Sequence, residues 1–366
     1  MGRPITILGA GIGGLTAGIT LARRGFDVQV VERADRVGSR YRGDLQGLEN
    51  WTSPQDVLEL LGELGLPLDF DYDAFHECTH YDSRLRAYPL RASRAGFYLV
   101  RRGPAPGTLD WSLKAAAEAA GVKIRFGVKS FGAAADIIAT GPRSPHLVAV
   151  GVNFRTDLEK TALGILDRAL APRGYAYLLS ARGHGTIAVI SVAGQPALRE
   201  HLKKAVARFR QIVSFDVVEP MPFAGIGSRF VGVGSGVPCV GEAGGFQDAM
   251  WGFGIRMALQ TGYLAAKAVS EGRDYWRLVS EAVAPVCRST VVNRLFYDLA
   301  GNRAYRLLLL GLARSRDPVA FTNRIYRESV AKRLLFPLAS RRLGRARRTA
   351  GPPPAAAPGG GPAPRP

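Results

Sequence analysis

The feature that most constrains the fold is the pattern GxGxxG, formed by Gly9, Gly11 and Gly14. Before these glycines, residues 4–8 (PITIL) alternate as a buried strand, and after them LTAGITLARRG shows helical periodicity as far as Gly25. The stretch DVQVVE then predicts a second strand. A strand, a glycine turn, a helix and a strand within about 30 residues are typical of a parallel crossover unit. We therefore predict a Rossmann-type domain at the N-terminus.

The three glycines and one acidic residue also predict a dinucleotide site in this unit. Gly9 permits a tight turn, Gly11 lets a pyrophosphate approach the backbone, and Gly14 lets the helix pack closely on the strand. Glu32 ends the second strand about 20 residues further on, where a carboxylate can accept hydrogen bonds from ribose hydroxyls. A glycine-rich turn without a ligand would leave this combination of features unexplained, so dinucleotide binding is the favoured interpretation.

A second glycine cluster lies far along the chain, in GEAGGFQDAMWGFG at residues 241–254. The short apolar stretch PCV leads to Gly241 and Glu242, and Gly252 and Gly254 lead into IRMALQTGYLAAKAV, which has strong helical periodicity. The order of strand, glycine turn and helix is thus repeated. We predict that the two clusters are halves of one nucleotide cradle.

The second cluster resembles the third FAD-contact region of the flavoprotein group that includes p-hydroxybenzoate hydroxylase. In that group a Gly-Asp pair binds the ribityl chain, and the N-terminus of the following helix faces the pyrimidine edge of the flavin. The resemblance implies these roles for Gly241, for Glu242 in place of the aspartate, and for the helix after Gly254. The stretch ATG at residues 139–141 matches a short strand motif of the same flavoproteins.

The resemblance narrows further to the geranylgeranyl reductase family, whose members reduce carbon–carbon double bonds of isoprenoid chains on lipids, quinones or pigments. The matching stretches are GAGIGGLTAGITLARRGFDVQVVER, GDLQGLENWTSPQDVLELL and GEAGGFQDAMWGFGIRMALQTGYLAA, and the similarity extends to about residue 300. It implies FAD as the cofactor. It also implies an α/β fold in which a Rossmann-type FAD-binding domain carries an inserted antiparallel-sheet substrate domain and a helical C-terminal region.

We expect both clusters and the segments between them to hold FAD, through Gly9, Gly11, Gly13, Gly14, Glu32, Arg33, Arg101, Gly141, Gly241, Glu242, Gly252 and Gly254. Arg101 and its neighbour Arg102 could approach the FAD phosphates, or both could lie in solvent.

The substrate candidates are four aromatic residues. By the resemblance, Tyr175 and Tyr177 correspond to an aromatic strand beside the lipid channel of those reductases; the family's tryptophan and Phe-Pro pair are missing from this strand. Trp51 and Trp251 could flank the flavin or the substrate, or pack in the core.

No residue is assigned a catalytic role, and no metal site is expected. The five histidines form no recognisable triad or metal cluster, so we interpret them as structural. Cys78, Cys239 and Cys287 lack CxxC spacing, so we expect them to be reduced and buried. An isoprenoid double bond has no polar group near it, and reduction by a flavin therefore requires an apolar slot rather than an ionisable base.

Composition, periodicity and the resemblance together divide the chain into four parts. An FAD-binding domain is expected at 1–146 plus 232–272, with part of the substrate region within 45–100, and a substrate-binding sheet domain at 147–231. A basic helical region at 273–348 and a disordered tail at 349–366 follow. The stretch GVGSG at 232–236 precedes a strand, so it predicts no second dinucleotide site.

Three helices were placed between these landmarks from local signals. One is expected to begin at Pro54, with Ser53 as its N-cap and Asp56 closing a capping box. Two more are expected near residues 158–169 and 196–211, between the strands of the inserted sheet.

Positive charge is concentrated at the C-terminal end of the chain. The net charge is +19, and residues 301–366 contain 14 Lys or Arg against two acids, Asp317 and Glu328. No nucleic-acid motif accompanies this charge, so nucleic acid is not an expected partner. AYRLLLLGLARSRDP and RIYRESVAKRLLFPLASRRLGRARR predict amphipathic helices that could rest on anionic lipid, or simply expose a solvated basic face.

The N-terminus begins almost directly with a strand pattern and lacks the regions of a signal peptide, and no run of 18 apolar residues occurs. We therefore expect a cytoplasmic protein, which could also bind peripherally to the inner face of the membrane.

Three functional hypotheses remain open from the sequence. The first is a flavin-dependent reductase of the isoprenoid chain of a lipid, quinone or pigment, supplied with electrons by NAD(P)H or by a donor protein. The second is an FAD-dependent hydroxylase or epoxidase of an apolar or aromatic substrate; the WxWxIP signature of flavin halogenases is absent. The third is a flavin-binding protein that has lost turnover and acts as a partner at a membrane surface.

Overall fold

The computed structural model describes residues 3–129, 134–142, 146–192, 197–215, 219–226 and 236–348. In chain order the strands are β1 (Ile5–Leu8), β2 (Val28–Val31), β3 (Leu45–Glu49), β4 (Tyr72–Phe75), β5 (Glu77–Asp82), β6 (Ala87–Arg91), β7 (Phe97–Arg101), β8 (Lys123–Arg125), β9 (Ile137–Ile138), β10 (Leu147–Arg155), β11 (Thr161–Leu166), β12 (Tyr175–Ala181), β13 (His184–Val192) and β14 (Glu219–Ile226). The helices are α1 (Ile12–Arg23), α2 (Val57–Glu63), α3 (Leu109–Ala119), α4 (Leu198–Arg210), α5 (Ile255–Glu271), α6 (Tyr275–Ala282), α7 (Ala284–Leu299), α8 (Asn302–Arg314), α9 (Pro318–Tyr326) and α10 (Val330–Arg348), with a short 3-10 helix at Gly241–Gly244.

The N-terminal unit is a parallel sheet in the order β8-β2-β1-β9, and Cys239 extends the sheet through a parallel bridge to Ile138. Helix α1 is buried over almost its whole length because it lies between this sheet and α5. The two helices approach to backbone contact: a Cβ atom on Gly262 would lie 2.3 Å from the carbonyl oxygen of Gly13. This arrangement confirms the predicted Rossmann-type unit and shows that both ends of the cradle belong to it.

The second large sheet has the order β14-β10-β13-β12-β11-β5-β6. Its pairs are antiparallel except β11 with β5, and β10 faces β13 from Leu147 opposite Val192 to Arg155 opposite His184. Helix α4 covers one face with Leu198, Leu202, Ala205 and Phe209, and confirms the helix expected near 196–211. A smaller antiparallel sheet, β3-β7-β4, connects the two larger ones.

The helix expected near 158–169 is wrong, because the chain forms strand β11 there. β11 pairs with β12 on one side and with β5 on the other, so its backbone hydrogen bonds are made by strands distant in sequence. A short apolar run such as TALGIL does not distinguish helix from buried strand by periodicity alone.

The start of α2 is also three residues later than expected. Asp56, not Ser53, is the N-cap: its Oδ1 accepts from the backbone N–H of Leu58 at 2.8 Å. The Asp56 Oδ2 accepts from Asn50 Nδ2 at 2.7 Å and from the Tyr98 hydroxyl at 3.0 Å. These tertiary contacts fix Asp56 at the helix start and leave Pro54 outside the helix.

The C-terminal helices α6 to α10 close the molecule on the side of the second glycine cluster. No helix in the described ranges is long and apolar enough to cross a membrane. Cys287 is buried, whereas Cys78 and Cys239 are half-buried, and none of the three forms a disulfide. Most of GVGSG at 232–236 and the whole predicted tail at 349–366 lie outside the described residues.

Candidate functional site

A cavity of about 1030 Å³ lies between the parallel sheet, the seven-stranded sheet and the C-terminal helices. One part is a cleft lined by the two glycine clusters. The other part is an apolar chamber lined by β5, β6, β11 and β12 and by α8 and α9. The cleft and the chamber belong to the same cavity.

The first glycine turn is shaped by close backbone contacts. Gly9 has φ +106°, and a Cβ there would lie 2.3 Å from the carbonyl oxygen of Ala139. A Cβ on Gly14 would lie 2.0 Å from the carbonyl oxygen of Gly9. Gly11 is different, because the nearest atom to its Cβ position is 4.0 Å away and the space opens into the cleft. Gly9 and Gly14 therefore lie in the sterically tight settings that the sequence predicted, and the open space at Gly11 is where a phosphate could approach.

Glu32 links the two loops that follow β1 and β2. Its Oε2 accepts from the N–H of Ala10 and its Oε1 accepts from the N–H of Ala34, both at 2.8 Å. Glu32 also lines the cleft. Since each carboxylate oxygen has a second acceptor site, the residue can accept a ligand hydroxyl while it holds the loops.

The second glycine loop meets the first across the cleft. Gly241 has φ +54° and its N–H donates to the Thr261 hydroxyl at 2.9 Å, which ties the loop to α5. Gln247 Nε2 donates to the carbonyl oxygen of Gly252 at 2.7 Å. Neither α1 nor α5 has a side-chain cap at its N-terminus in the described structure; their N-cap residues are Gly11 and Gly254. Two helix N-termini with free N–H groups therefore point toward one cleft, an arrangement that favours negatively charged ligands.

Asp248 anchors the second loop from inside the protein. It is fully buried, and its carboxylate accepts from the backbone N–H groups of Met250 at 2.8 Å and Trp251 at 3.2 Å. The Tyr326 hydroxyl, from α9, donates to it at 2.7 Å. Burial raises the pKa of the Asp248 carboxyl to about 7, although the three hydrogen bonds that it accepts oppose this shift.

The residues predicted from the sequence come together in this cavity. Those that line it are Gly9, Gly11, Gly13, Glu32, Arg33, Gly141, Gly241, Glu242, Gly252, Gly254, Trp51, Tyr175, Tyr177 and Trp251. Gly14 lies behind the turn, in the packing role expected of it.

Arg101 is the predicted residue that lies elsewhere. Its Nη2 donates to Asp71 Oδ2 at 3.2 Å and to the carbonyl oxygen of Pro106, away from the cavity lining. The neighbouring Arg102 does line the cavity and forms a buried ion pair with Asp110 at 2.8 Å. Along the strand side chains alternate between faces, so adjacent arginines point to opposite sides.

Glu242 faces a cation, Arg40, that no sequence motif indicates. Arg40, in the segment after β2, approaches Glu242 Oε2 with its Nη1 at 3.4 Å, and both residues line the cleft. The pair joins the two halves of the cradle at the position where the family resemblance implies a ribityl contact.

The aromatic candidates surround the junction of cleft and chamber. The Tyr175 hydroxyl donates to the carbonyl oxygen of Trp251 at 2.6 Å, and their rings meet edge to face at 5.3 Å. Trp51 packs edge to face on Phe253 at 4.6 Å. Tyr177 lies next to Tyr175, with ring centroids 6.2 Å apart. The two alternatives considered for Trp51 and Trp251, core packing and contact with a ligand cavity, therefore do not exclude each other, because both rings pack on other aromatic rings and line the cavity.

Two chamber residues, Cys78 and His80, line the cavity. The sequence predicts a reduced and buried thiol for Cys78 and a structural role for His80. Cys78 Sγ lies 3.8 Å from His80 Nδ1. Burial raises the pKa of the Cys78 thiol to about 12 and lowers the pKa of His80 to about 4, so both groups are neutral at pH 7. Their spacing of two residues on a strand places both on one face, but only the pairing of β5 with β11 shows that this face is the chamber wall.

Among the described residues, no group of three or more His, Cys, Asp or Glu side chains is placed to hold a metal ion. Most charged residues of the cavity lining lie at the cleft. On the chamber side, Glu77 of β5 and Arg91 of β6 form an exposed ion pair at 3.3 Å, and the rest of the wall is largely apolar.

Comparisons with known proteins agree with this geometry at the level of the fold. A family model described as an NAD(P)-binding Rossmann-like domain matches residues 7–47. A search of proteins with curated descriptions finds no significant match. Among solved structures, a geranylgeranyl bacteriochlorophyll reductase-like protein from Thermoplasma acidophilum is similar over 94% of this chain and 98% of its own, with a TM-score of 0.67 and 17% identity.

Two further structures illustrate the range of similar proteins. A flavin-dependent brominase is similar over 93% of this chain and 98% of its own, with a TM-score of 0.60 and 15% identity. A halogenase in complex with FAD is similar over 95% of this chain and 92% of its own, with a TM-score of 0.56 and 13% identity. At such identities the likeness concerns the fold alone: this chain has the fold of FAD-dependent oxidoreductases.

Proposed function

We propose that this protein is an FAD-dependent oxidoreductase that reduces carbon–carbon double bonds of an isoprenoid chain on a lipid, quinone or pigment. The observation that carries the proposal is the continuity of the cavity: a cleft suited to a dinucleotide opens directly into an apolar chamber. The similarity in fold to a geranylgeranyl bacteriochlorophyll reductase-like protein supports the same choice.

The residues of the cleft fit FAD. Gly11 and the N-terminus of α1 offer free N–H groups and open space to a pyrophosphate, and Glu32 offers carboxylate oxygens to a ribose. The buried Gln247 Oε1 has no hydrogen-bond partner among the described residues, so it is available to accept from a ligand. The N-terminus of α5 would face the pyrimidine edge of the flavin, and FAD supplies hydride to a substrate once it has been reduced.

The chamber fits an apolar chain. Its wall includes Leu90, Leu163, Leu166 and Leu179 from the sheets and Leu308, Leu312 and Val319 from the helices. Cys78 and His80 are uncharged, so they add polarity without a buried charge. We assign the wall the roles of excluding water and fixing the angle of the chain, while Tyr175 and Trp251 limit how deeply the chain enters the cleft.

A monooxygenase acting on an apolar or aromatic substrate is the second candidate. The rings of Trp51, Trp251 and Tyr175 at the junction favour it, because an aromatic substrate could stack there. An oxygenase of 2-methyl-3-hydroxypyridine-5-carboxylic acid is also similar in fold, with a TM-score of 0.54 and 15% identity.

Anaerobic reoxidation of the dithionite-reduced, FAD-loaded protein tests the proposal. A polyprenyl lipid whose head group is not redox-active should restore the absorbance of oxidised flavin, and its chain should gain two hydrogen atoms per turnover. The matched control is the same lipid with a fully saturated chain, which should leave the flavin reduced. Absence of reoxidation until oxygen is admitted, followed by a gain of one oxygen atom, would contradict the reductase and assign a monooxygenase. Repeating the cycle with NADH, NADPH or a donor protein identifies the source of electrons.

A further inference from the structure

The C-terminal helices expose an unusual amount of apolar surface. Six of the nine large apolar side chains that are exposed among the described residues lie on α7, α8 and α10: Phe296, Leu299, Leu307, Val330, Leu334 and Leu338. The strongest exposure is on α10, where Val330 is 72%, Leu334 76% and Leu338 60% exposed. Scattered exposed leucines are ordinary, but a cluster of this kind marks an interaction surface.

Helix α10 has two apolar faces, of which one is used within the protein. Leu335, Ala339 and Leu343 pack against Val291, Val292 and Leu295 of α7. Val330, Leu334 and Leu338 follow one another at intervals of four residues, so they form a stripe on a different side of the helix. We call this stripe the outer ridge. It faces solvent, although burying it would be favourable by the hydrophobic effect.

Basic residues continue the outer ridge toward the end of α10. Arg341 and Arg342 follow Leu338 by three and four residues and are exposed. Arg333 is also exposed, but its guanidinium is paired with Glu328 at 2.8 Å. In the described ranges, no salt bridge joins Arg341 or Arg342 to an acid, so their charge is available to a partner.

We propose that the outer ridge and the adjoining arginines dock this protein on the surface of an anionic lipid bilayer. An interfacial helix needs aliphatic side chains and cations next to each other. The aliphatic groups enter the acyl boundary, and the cations contact the headgroups. A second copy of the chain would cover the ridge but bring like charges together across the interface. A nucleic acid would use the arginines but would leave the ridge exposed.

Helix α8 also exposes an apolar side chain on the side opposite to the chamber. This helix turns Leu308 and Leu312 toward the chamber and exposes Leu307 to solvent. If the proposed function holds, docking brings the protein to a lipid surface from which an isoprenoid chain would be taken. The docking itself rests only on the exposed side chains and their charge.

Cosedimentation of the full-length protein with vesicles tests the docking. Vesicles of equal parts phosphatidylglycerol and phosphatidylcholine should bind the protein, and vesicles of phosphatidylcholine alone should bind it much more weakly. The double variant Leu334→Gln, Leu338→Gln should reduce binding to the anionic vesicles by about tenfold or more, because each leucine loses its favourable transfer into the acyl boundary. The double variant Arg341→Gln, Arg342→Gln should reduce binding by about tenfold and weaken its dependence on salt.

Matched controls separate docking from general surface effects. Leu68→Gln changes a leucine that is 42% exposed outside the helical region, and Lys203→Gln with Lys204→Gln removes two exposed charges from α4. Both controls should bind vesicles as the unchanged protein does. Equal binding by the ridge variant and the unchanged protein would overturn the proposal. A dimer in solution that dissociates in the ridge variant would also overturn the proposal. Binding to duplex DNA that competes with vesicle binding and is unchanged in the ridge variant would do the same.

The assay does not depend on turnover, so failure of the two proposals can be told apart. A protein that binds vesicles but leaves the polyprenyl chain unreduced loses the proposed function and keeps the docking surface. A protein that reduces a detergent-dissolved substrate but does not bind vesicles keeps the proposed function and loses the docking surface.

Discussion

The first glycine turn, residues 9–14, and the second glycine loop, residues 241–254, line the same cleft from opposite sides. Each follows a strand position of the parallel sheet and leads into a helix without a side-chain cap in the described structure. The first turn is fixed by its own backbone and by neighbours on the sheet: Gly9 and Gly14 contact Ala139 and each other at distances that admit no side chain.

The second loop is held by side chains that arrive from other parts of the chain. Asp248 inside the loop accepts from Tyr326 of α9, and the Ala249 N–H donates to the Thr290 hydroxyl of α7 at 3.3 Å. Tyr175 of β12 donates to the carbonyl oxygen of Trp251. The comparison teaches that two loops with similar glycine content reach the same cleft by different means, one by steric exclusion and the other by buried polar contacts.

The largest effect is expected from Gly14→Ala, which tests steric exclusion in the first turn. The new Cβ would lie 2.0 Å from the carbonyl oxygen of Gly9, and backbone at both ends of the contact cannot move aside cheaply. We expect the free energy of unfolding to fall by about 3 kcal/mol or more, measured by urea denaturation. Gly18→Ala is the matched control in the same helix, because its Cβ would have an ordinary 3.5 Å contact with Val30. A stable Gly14→Ala protein would show that the turn is not sterically fixed.

Gly11→Asp tests whether the open space in the first turn is the phosphate position. A carboxylate about 4 Å from a pyrophosphate charge costs about 4 kcal/mol at an effective dielectric constant near 20, so FAD affinity should fall by about a hundredfold or more. The measurement is the FAD content of the purified protein and its equilibrium titration with FAD. Gly62→Asp, on the exposed side of α2 with no atom within 4 Å of its Cβ position, is the control that should keep the flavin. Full flavin content in Gly11→Asp would remove the first turn from the cradle.

A smaller and pH-dependent effect is expected in the second loop. Because burial raises the pKa of Asp248 in the folded protein to about 7, from an ordinary value of 3.8, the fold favours the protonated carboxyl. The stability that this group contributes is therefore complete below about pH 4 and is lost as the pH rises through about 7. Between pH 5 and pH 8 the free energy of unfolding should fall by roughly 3 kcal/mol more in the unchanged protein than in Asp248→Asn. Urea denaturation at both pH values measures this difference, and parallel pH profiles would show that Asp248 is charged in the folded state.

Prediction from the sequence succeeded where the signal was local. The roles of Gly9, Gly11 and Gly14 follow from steric rules that act within one turn, and the structure places each in its expected setting. Prediction failed where contacts with distant segments decide the local structure. Residues 158–169 contain a strand because β5 and β12 pair with it. Helix α2 begins at Val57 because Asn50 and Tyr98 donate hydrogen bonds to Asp56. Arg101 was selected by its position in the chain, but the alternation of side chains along β7 turns it away and brings Arg102 to the cavity.

By itself, the sequence determined the Rossmann-type unit, the two glycine clusters and the basic amphipathic character of the last helices, because glycine sterics, periodicity and charge are properties of short segments. Only the tertiary structure decided that Asp248 is buried against Tyr326 and that Cys78 and His80 line the chamber. It also decided that one face of α10 has no internal partner within the described part of the chain. The physical reason is that burial, the pKa shifts that follow from it and the exposure of an apolar face depend on which segments meet. No short segment of the chain contains that information.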